Sequence, residues 1–312
     1  LFIQKKKRNA VKIKHGMKSL ALGAVIALSL SACSSSSDDD TATETAAETA
    51  AETAAETAAE TAEPTEEEVA AVDLGLSDPD KLVVGMTLQF KPQMYRNDDG
   101  DPDGYDFALL EALAADMGVT LDIQDLDFTG LIPGLQAGQF DMVSVGLSKT
   151  PERAESIDFT REYVPYAQIL VAGAGSEPST NLDDWNSGDF KISALQGSTA
   201  AKLIAEDFPK ATLVEMPDQS GAFLEVATGR ANAIVVESYL FDQFNTSNPD
   251  QLERVDADPL SLQYGSWAVQ KGNTALADYL NEWLCTAQES GQLADSYEVE
   301  QGGIMPALPQ TC

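Results

Sequence analysis

From about residue 80 onward, short apolar runs alternate with amphipathic stretches. Leu82, Val83 and Val84 open a strand that ends near Leu88. After a polar loop rich in Asp and Gly, Asp106 to Met117 places apolar residues at Phe107, Leu110 and Met117, with Leu109 and Leu113 beside them. That spacing predicts a helix, and Gly118 supplies its left-handed stop. Val119, Leu121 and Ile123 alternate as a strand, Leu131, Ile132 and Leu135 mark a short helix ended by Gly138, and Asp141 to Val145 is the next strand. Thr150-Pro151 then starts a helix, with Thr as N-cap and Pro at the first position. A similar unit follows. Phe190 to Leu195 is a strand, Gln196 to Thr199 turns into a helix through Ile204, and Thr212 to Met216 is a strand. Asp218 caps a helix ending near Gly229, and Ala231 to Val236 is an apolar strand that stops at Glu237. With a late return strand, Ser261 to Val269, and a long C-terminal helix, Thr274 to Glu289, the chain reads as α/β with two lobes and a cleft between them.

The first 80 residues follow neither period. A basic stretch ends at Lys18, and an uncharged apolar run spans Leu20 to Ala32. It is too short for a bilayer core, which needs about 20 residues, and has the length of a signal peptide's apolar segment. Leu30-Ser31-Ala32-Cys33 closes it and resembles a bacterial lipobox, which implies lipidation of Cys33 and a signal peptide over 1–32. Met17 opens a compact signal, so 1–16 reads as an over-extended start. Residues 33–78 are expected to hold the lipidated cysteine and a disordered acidic tether. Its glutamates, Glu44, Glu48, Glu52, Glu56 and Glu60, recur every fourth residue with no lysine to offset their repulsion.

Charge narrows the function. The chain carries 51 acidic and 19 basic residues, for a net of −32. Seven of the basic residues lie in the first 18 positions and no acid precedes Asp38, so residues after Ala32 hold 12 basic against 51 acidic residues, a net of −39. Such a body is unsuited to nucleic acid or to adhesion on anionic lipid. The lone histidine, His15, excludes a His-based triad and a multi-His zinc site from the folded part. Three cysteines exclude a disulfide scaffold and a C-x-x-C metal site. No metal or cofactor is expected.

Three blocks in the first half, VVGMTLQFKPQMY, DGYDFALLEALAADMGV and FTGLIPGLQAGQFDMVSVGLSKTPERAESIDFT, resemble the polar amino-acid family of bacterial extracellular solute-binding proteins, the receptor components of ABC importers. LQGST, TGRANAIVVESY and YGSWAVQKG continue the likeness, which covers roughly residues 80–300. It implies a type II periplasmic-binding-protein-like fold, with lobe 1 over 79–170, lobe 2 over 171–258 and a return to lobe 1 over 259–312. The lobe crossings are expected near Leu170–Ala172 and Asp258–Leu262. The implied protein is a monomer, exported and lipid-anchored at the outer face of the cytoplasmic membrane or in the periplasm. It would deliver a free amino acid to permease subunits and make or break no bond.

The same resemblance assigns the binding residues. Arg153, in the TPER block, would grip the ligand carboxylate with its planar fork. Gly146 and Ser148 fall where the family uses main-chain groups and a hydroxyl to hold the α-groups. Ser198 and Thr199 open a helix whose free N–H groups suit an anion. Glu237 stands where the family carries an acid, most often Asp, for the ammonium. Phe90 and Phe128 would sandwich the side chain. Thr87 sits where relatives that take cationic amino acids carry an acid, so a polar, non-cationic ligand is expected. Lys91 offers an acidic ligand as the next choice. With Cys33 lipidated, Cys285 and Cys312 are expected to pair, as leftover thiols do in exported proteins. Two other classes stay open: a cyclohexadienyl (arogenate or prephenate) dehydratase, and a ligand-sensing module for a separate receptor.

Overall fold

The computed structural model describes residues 73–175 and 179–312. The expected signal peptide, Cys33 and the acidic repeat lie outside the described residues.

Lobe 1 begins with β1 (Lys81–Met86), whose apolar run is buried on both faces as a central parallel strand requires. β1 lies between β5 (Thr120–Asp125) and β6 (Met142–Ser148), both parallel to it. Helices α1 (Tyr105–Met117) and α2 (Phe128–Gln136) make the crossovers. Gly118 ends α1 at φ 70°, with its N–H and that of Val119 turned back onto the last-turn carbonyls. The polar loop after β1 is ordered as a small antiparallel sheet of β2 (Gln89–Phe90), β3 (Met94–Arg96) and β4 (Pro102–Asp103). After the four-residue helix α3 (Pro151–Ala154) comes β7 (Ile157–Gly173), seventeen residues long.

β7 belongs to both lobes. Residues Ile157–Gln168 pair with β12 (Ser261–Gln270), which lies antiparallel to β6, and Gln168–Ala172 pair with β10 (Ala233–Glu237). The change of pairing partner falls at Gln168. Beyond it, β10, β8 (Lys191–Leu195) and β9 (Thr212–Met216) run parallel, and β11 (Leu252–Arg254) adds to the end of β7. The result is one nine-stranded sheet, β5-β1-β6-β12-β7-β10-β8-β9, with β11 to the side. Helices α4 (Thr199–Asp207), α5 (Gln219–Ala227) and α6 (Ser238–Ser247) follow β8, β9 and β10. α7 (Thr274–Glu289) and α8 (Gln292–Gln301) return to lobe 1.

The lobe 1 core is built on an aromatic run. Trp267 is fully buried between Tyr163 and Trp283, at centroid distances of 5.2 and 5.7 Å, and Tyr105 stacks on Tyr163 at 6.1 Å. Lobe 2 has a second apolar cluster behind its sheet, including Ile192, Ile204, Phe208 and Val235.

Residues 73–78, expected inside the tether, lie against the body. Leu74 and Leu76 pack on the core, and the Ser77 N–H donates to Asp141 Oδ1 at 2.7 Å. The buried Asp141 also accepts from Val83 N–H at 2.8 Å, so one carboxylate fixes this segment to β1. At the other end, Cys285 on α7 and Cys312 have Cα atoms 5.6 Å apart, within disulfide range.

Candidate functional site

A cavity lies in the cleft, at the C-terminal ends of the strands, where open α/β sheets place ligands. Its first-lobe wall comes from β6 and the turn after it. Thr150 Oγ1 accepts from Arg153 N–H at 3.3 Å, and this cap starts α3 so that Arg153 lines the cavity. The guanidinium donates from Nη1 to the Ser148 carbonyl at 3.0 Å and from Nη2 across the cleft to the Gly197 carbonyl at 3.1 Å. A guanidinium has five N–H donors, and these carbonyls take two. Burial pulls its pKa down and nearby Tyr166, Glu152 and Glu237 hold it up; the group remains a cation.

Behind this wall is a buried carboxylate that sequence reasoning missed. Asp106 is fully buried on α1 and accepts from Ser144 Oγ at 2.7 Å, from Gln93 Nε2 at 3.1 Å and from the Tyr163 hydroxyl. Burial pushes its carboxyl up to about 6, against the pull of those three bonds. Tyr163 in turn accepts the Gly146 N–H at 2.9 Å.

The second-lobe wall is made of helix starts. Ser198 caps α4, accepting from Ala201 N–H at 3.2 Å, and Thr199 is the first residue of that helix. Gln219 opens α5 behind its cap Asp218, and Glu237 ends β10 where α6 begins. Glu237 Oε1 accepts from Gln168 Nε2 at 2.8 Å. Burial raises its pKa, while the Gln168 bond and Arg153 oppose the rise. The cavity thus has one carboxylate, from lobe 2, and one guanidinium, from lobe 1, among the described residues that line it.

A family model described as bacterial extracellular solute-binding proteins, family 3, matches residues 82–299. The chain belongs to this family. The arginine-binding extracellular protein ArtP of Bacillus subtilis is 27% identical over 215 residues, covering 68% of this chain and 83% of the relative. The fold agrees with a crystal structure of the substrate binding protein of an amino acid ABC transporter, at 31% identity and a TM-score of 0.66, covering 72% of this chain and 100% of that one. An ancestral amino acid-binding protein, AncCDT-1, described as a precursor of cyclohexadienyl dehydratase, matches at 28% identity and a TM-score of 0.65, covering 71% and 95%. The two-lobed α/β architecture and the family expected from the sequence blocks are therefore those of this solute-binding protein.

Of the residues singled out in the sequence, the structure brings Arg153, Gly146, Ser148, Ser198, Thr199, Glu237, Phe90 and Phe128 to one cavity. Several differ in detail from expectation. The Gly146 N–H is taken by Tyr163, and its carbonyl accepts from Tyr166 OH at 3.1 Å, so its N–H is not open to a ligand. Glycine is required there by φ 59° and by Gln93, whose Nε2 would sit 2.5 Å from a Cβ. Phe90 and Phe128 have centroids 6.2 Å apart at 54°, a tilted pair in contact with no gap for a ligand between the rings. Phe128 also carries the Arg153 guanidinium 5.7 Å from its centroid.

Thr87 is buried outside the cavity lining, where its Oγ1 accepts from Gln89 Nε2 at 2.7 Å. Lys91 is exposed with its ammonium 4.7 Å from the Tyr95 ring centroid, away from the lining. The residues missed are mostly uncharged: Gln93, Tyr166, Gln219 and Tyr239 line the cavity. Gln263 on β12 accepts from Ser148 Oγ at 2.9 Å and Thr199 Oγ1 at 2.7 Å, joining the two walls.

Proposed function

We propose that this solute-binding protein is the extracytoplasmic receptor of an ABC amino-acid importer, holding a free amino acid in the cleft and delivering it to the permease. The carrying observation is the pair Arg153 and Glu237, one from each lobe, lining one cavity. A zwitterionic amino acid needs a donor fork for its carboxylate and an acceptor for its ammonium, and these residues have that chemistry. Arg153 binds the carboxylate with the first-lobe groups, and Glu237 completes the shell as the lobes close. The ligand side chain is polar and not cationic, because Glu237 is occupied by the ammonium and no further carboxylate lines the cavity among the described residues. A cyclohexadienyl dehydratase would have to hold two substrate carboxylates, and Arg153 is the one formal cation among those residues.

The protein is exported and anchored through a lipid on Cys33, with the acidic repeat as a spacer; loss of fatty-acid labelling in Cys33→Ser tests the anchor. Among the described residues no helix is long and apolar enough to cross a membrane. Cys285 and Cys312 form a disulfide that ties the tail to α7. Alkylation without reductant should label neither, and two labelled thiols would refute the pairing.

The receptor function is tested by thermal unfolding against the twenty amino acids and cystine. A ligand at 100 times its Kd stabilises the folded state by about 2.7 kcal/mol, so at least one amino acid should raise the melting temperature clearly. A flat panel would sink the proposal.

A further inference from the structure

The receptor function proposed above gives the cavity side chain of Gln219 no task. Gln219, the first residue of α5, is 5% exposed. Its backbone N–H donates across the cleft to Gln89 Oε1 at 2.8 Å, fixing this first turn against lobe 1. Its side chain lines the cavity, and its Nε2 is buried with no hydrogen-bond partner among the described residues. A buried amide donor left unmade is costly, so this arrangement calls for an acceptor from a bound molecule.

A second amide faces the same space. Gln93 is 1% exposed, and its Nε2 is committed to Asp106 Oδ1 at 3.1 Å. Its Oε1 is then the atom left to accept from a ligand. With Arg153 and Glu237 assigned to the zwitterionic head, the cavity has no formal charge left for a side chain among the described residues that line it. A cationic or anionic side chain would be desolvated without a partner of opposite charge. An apolar one would leave Gln219 unsatisfied.

We propose that the side-chain end of this cavity is a carboxamide site, in which Gln219 donates to the ligand amide oxygen and Gln93 accepts from its NH2, so that the ligand is glutamine or asparagine. This inference rests on the receptor reading and adds to it the class of side chain. A site built around such bonds discriminates strongly against analogues that lack the partner.

The test is calorimetric titration of the full chain with glutamine, asparagine, methionine, arginine and glutamate. Glutamine or asparagine should bind at least tenfold more tightly than the other three. Gln219→Met keeps the length of the side chain and removes the amide, and should collapse the glutamine-to-methionine affinity ratio at least tenfold. Gln219→Glu should weaken glutamine and shift preference toward arginine. Far-UV circular dichroism and melting curves establish that each variant is folded. Tighter binding of arginine or glutamate by the wild type would overturn the carboxamide site while leaving the receptor intact. So would a Gln219→Met variant that weakens glutamine and methionine equally. Binding of no amino acid at all would overturn both.

Discussion

The two walls of the cleft are built in opposite ways. On the lobe 1 side, the residues that face the cavity are held from behind. Gln93 is bonded to Asp106, and Asp106 accepts from Tyr163, which takes the Gly146 N–H. On the lobe 2 side, Thr199, Gln219 and Glu237 stand at the starts of α4, α5 and α6, placed by the ends of β8, β9 and β10. One wall is a buried polar network and the other a row of helix N-termini. Damage to the buried network behind the first wall should therefore register in stability as well as binding, and damage to the second wall mainly in binding.

The sharpest contrast comes from the two charges. Arg153→Ala should abolish detectable binding of every amino acid, by at least a hundredfold, while the melting temperature without ligand changes little, because the guanidinium is only partly buried and bonds two carbonyls. Glu237→Gln keeps the shape and hydrogen-bonding reach of lobe 2 but loses the charge, and should cost roughly ten- to a hundredfold, within the 1.5–3 kcal/mol typical of a charged hydrogen bond. Calorimetry on both variants checks the order. Near wild-type affinity in Arg153→Ala would remove the anchor from lobe 1.

Asp106 probes the network directly. Its native pKa of about 6 lies above that of an unfolded aspartate, so the native state holds the extra proton between about pH 4 and pH 6. The stability this group contributes is full below the unfolded value and is lost as pH rises through 6, on the order of 3 kcal/mol. Asp106→Asn should flatten the fall in melting temperature over that window and weaken ligand binding only a few-fold, through Gln93 and Gly146. An unchanged pH profile would show that the carboxylate is not the strained member of this wall.

The two walls also differ in how far they can be read from the chain. Lobe 2 is announced by capping chemistry: Ser198 and Asp218 sit where their side chains accept from the third residue onward, and both helices begin as the pattern requires. Thr150 and Gly118 are equally legible in lobe 1. The seventeen residues of β7 are not, because Arg161, Glu162 and Pro165 interrupt the alternation and the strand changes partners midway. The charged site residues stand out from a family motif, whereas Gln93, Gln219 and Gln263 carry no local signal. Glutamine is ordinary on a surface; burial gives Gln93 and Gln219 their roles, and the half-buried Gln263 takes its role from bonding Ser148 and Thr199. The need for glycine at Gly146 is likewise not legible in the sequence, since it is Gln93 that occupies the space of a Cβ.

The smallest effect is expected at the rim. Lys202 of α4 reaches Glu152 of α3 at 2.6 Å, a contact that spans the lobes and holds the Glu152 carboxyl down to about 2. Both side chains are largely in water, where salt screens the attraction and ordering two long side chains offsets much of it. The pair closes only when the lobes do, so it can shift the open–closed balance no further than its own small free energy. Glu152→Gln should weaken ligand binding by less than about threefold in dilute buffer, and the difference should vanish near 1 M salt. A tenfold loss that persisted in high salt would mean that closure is latched at the rim, and the division between a structural wall and a binding wall would have to admit a third region outside both.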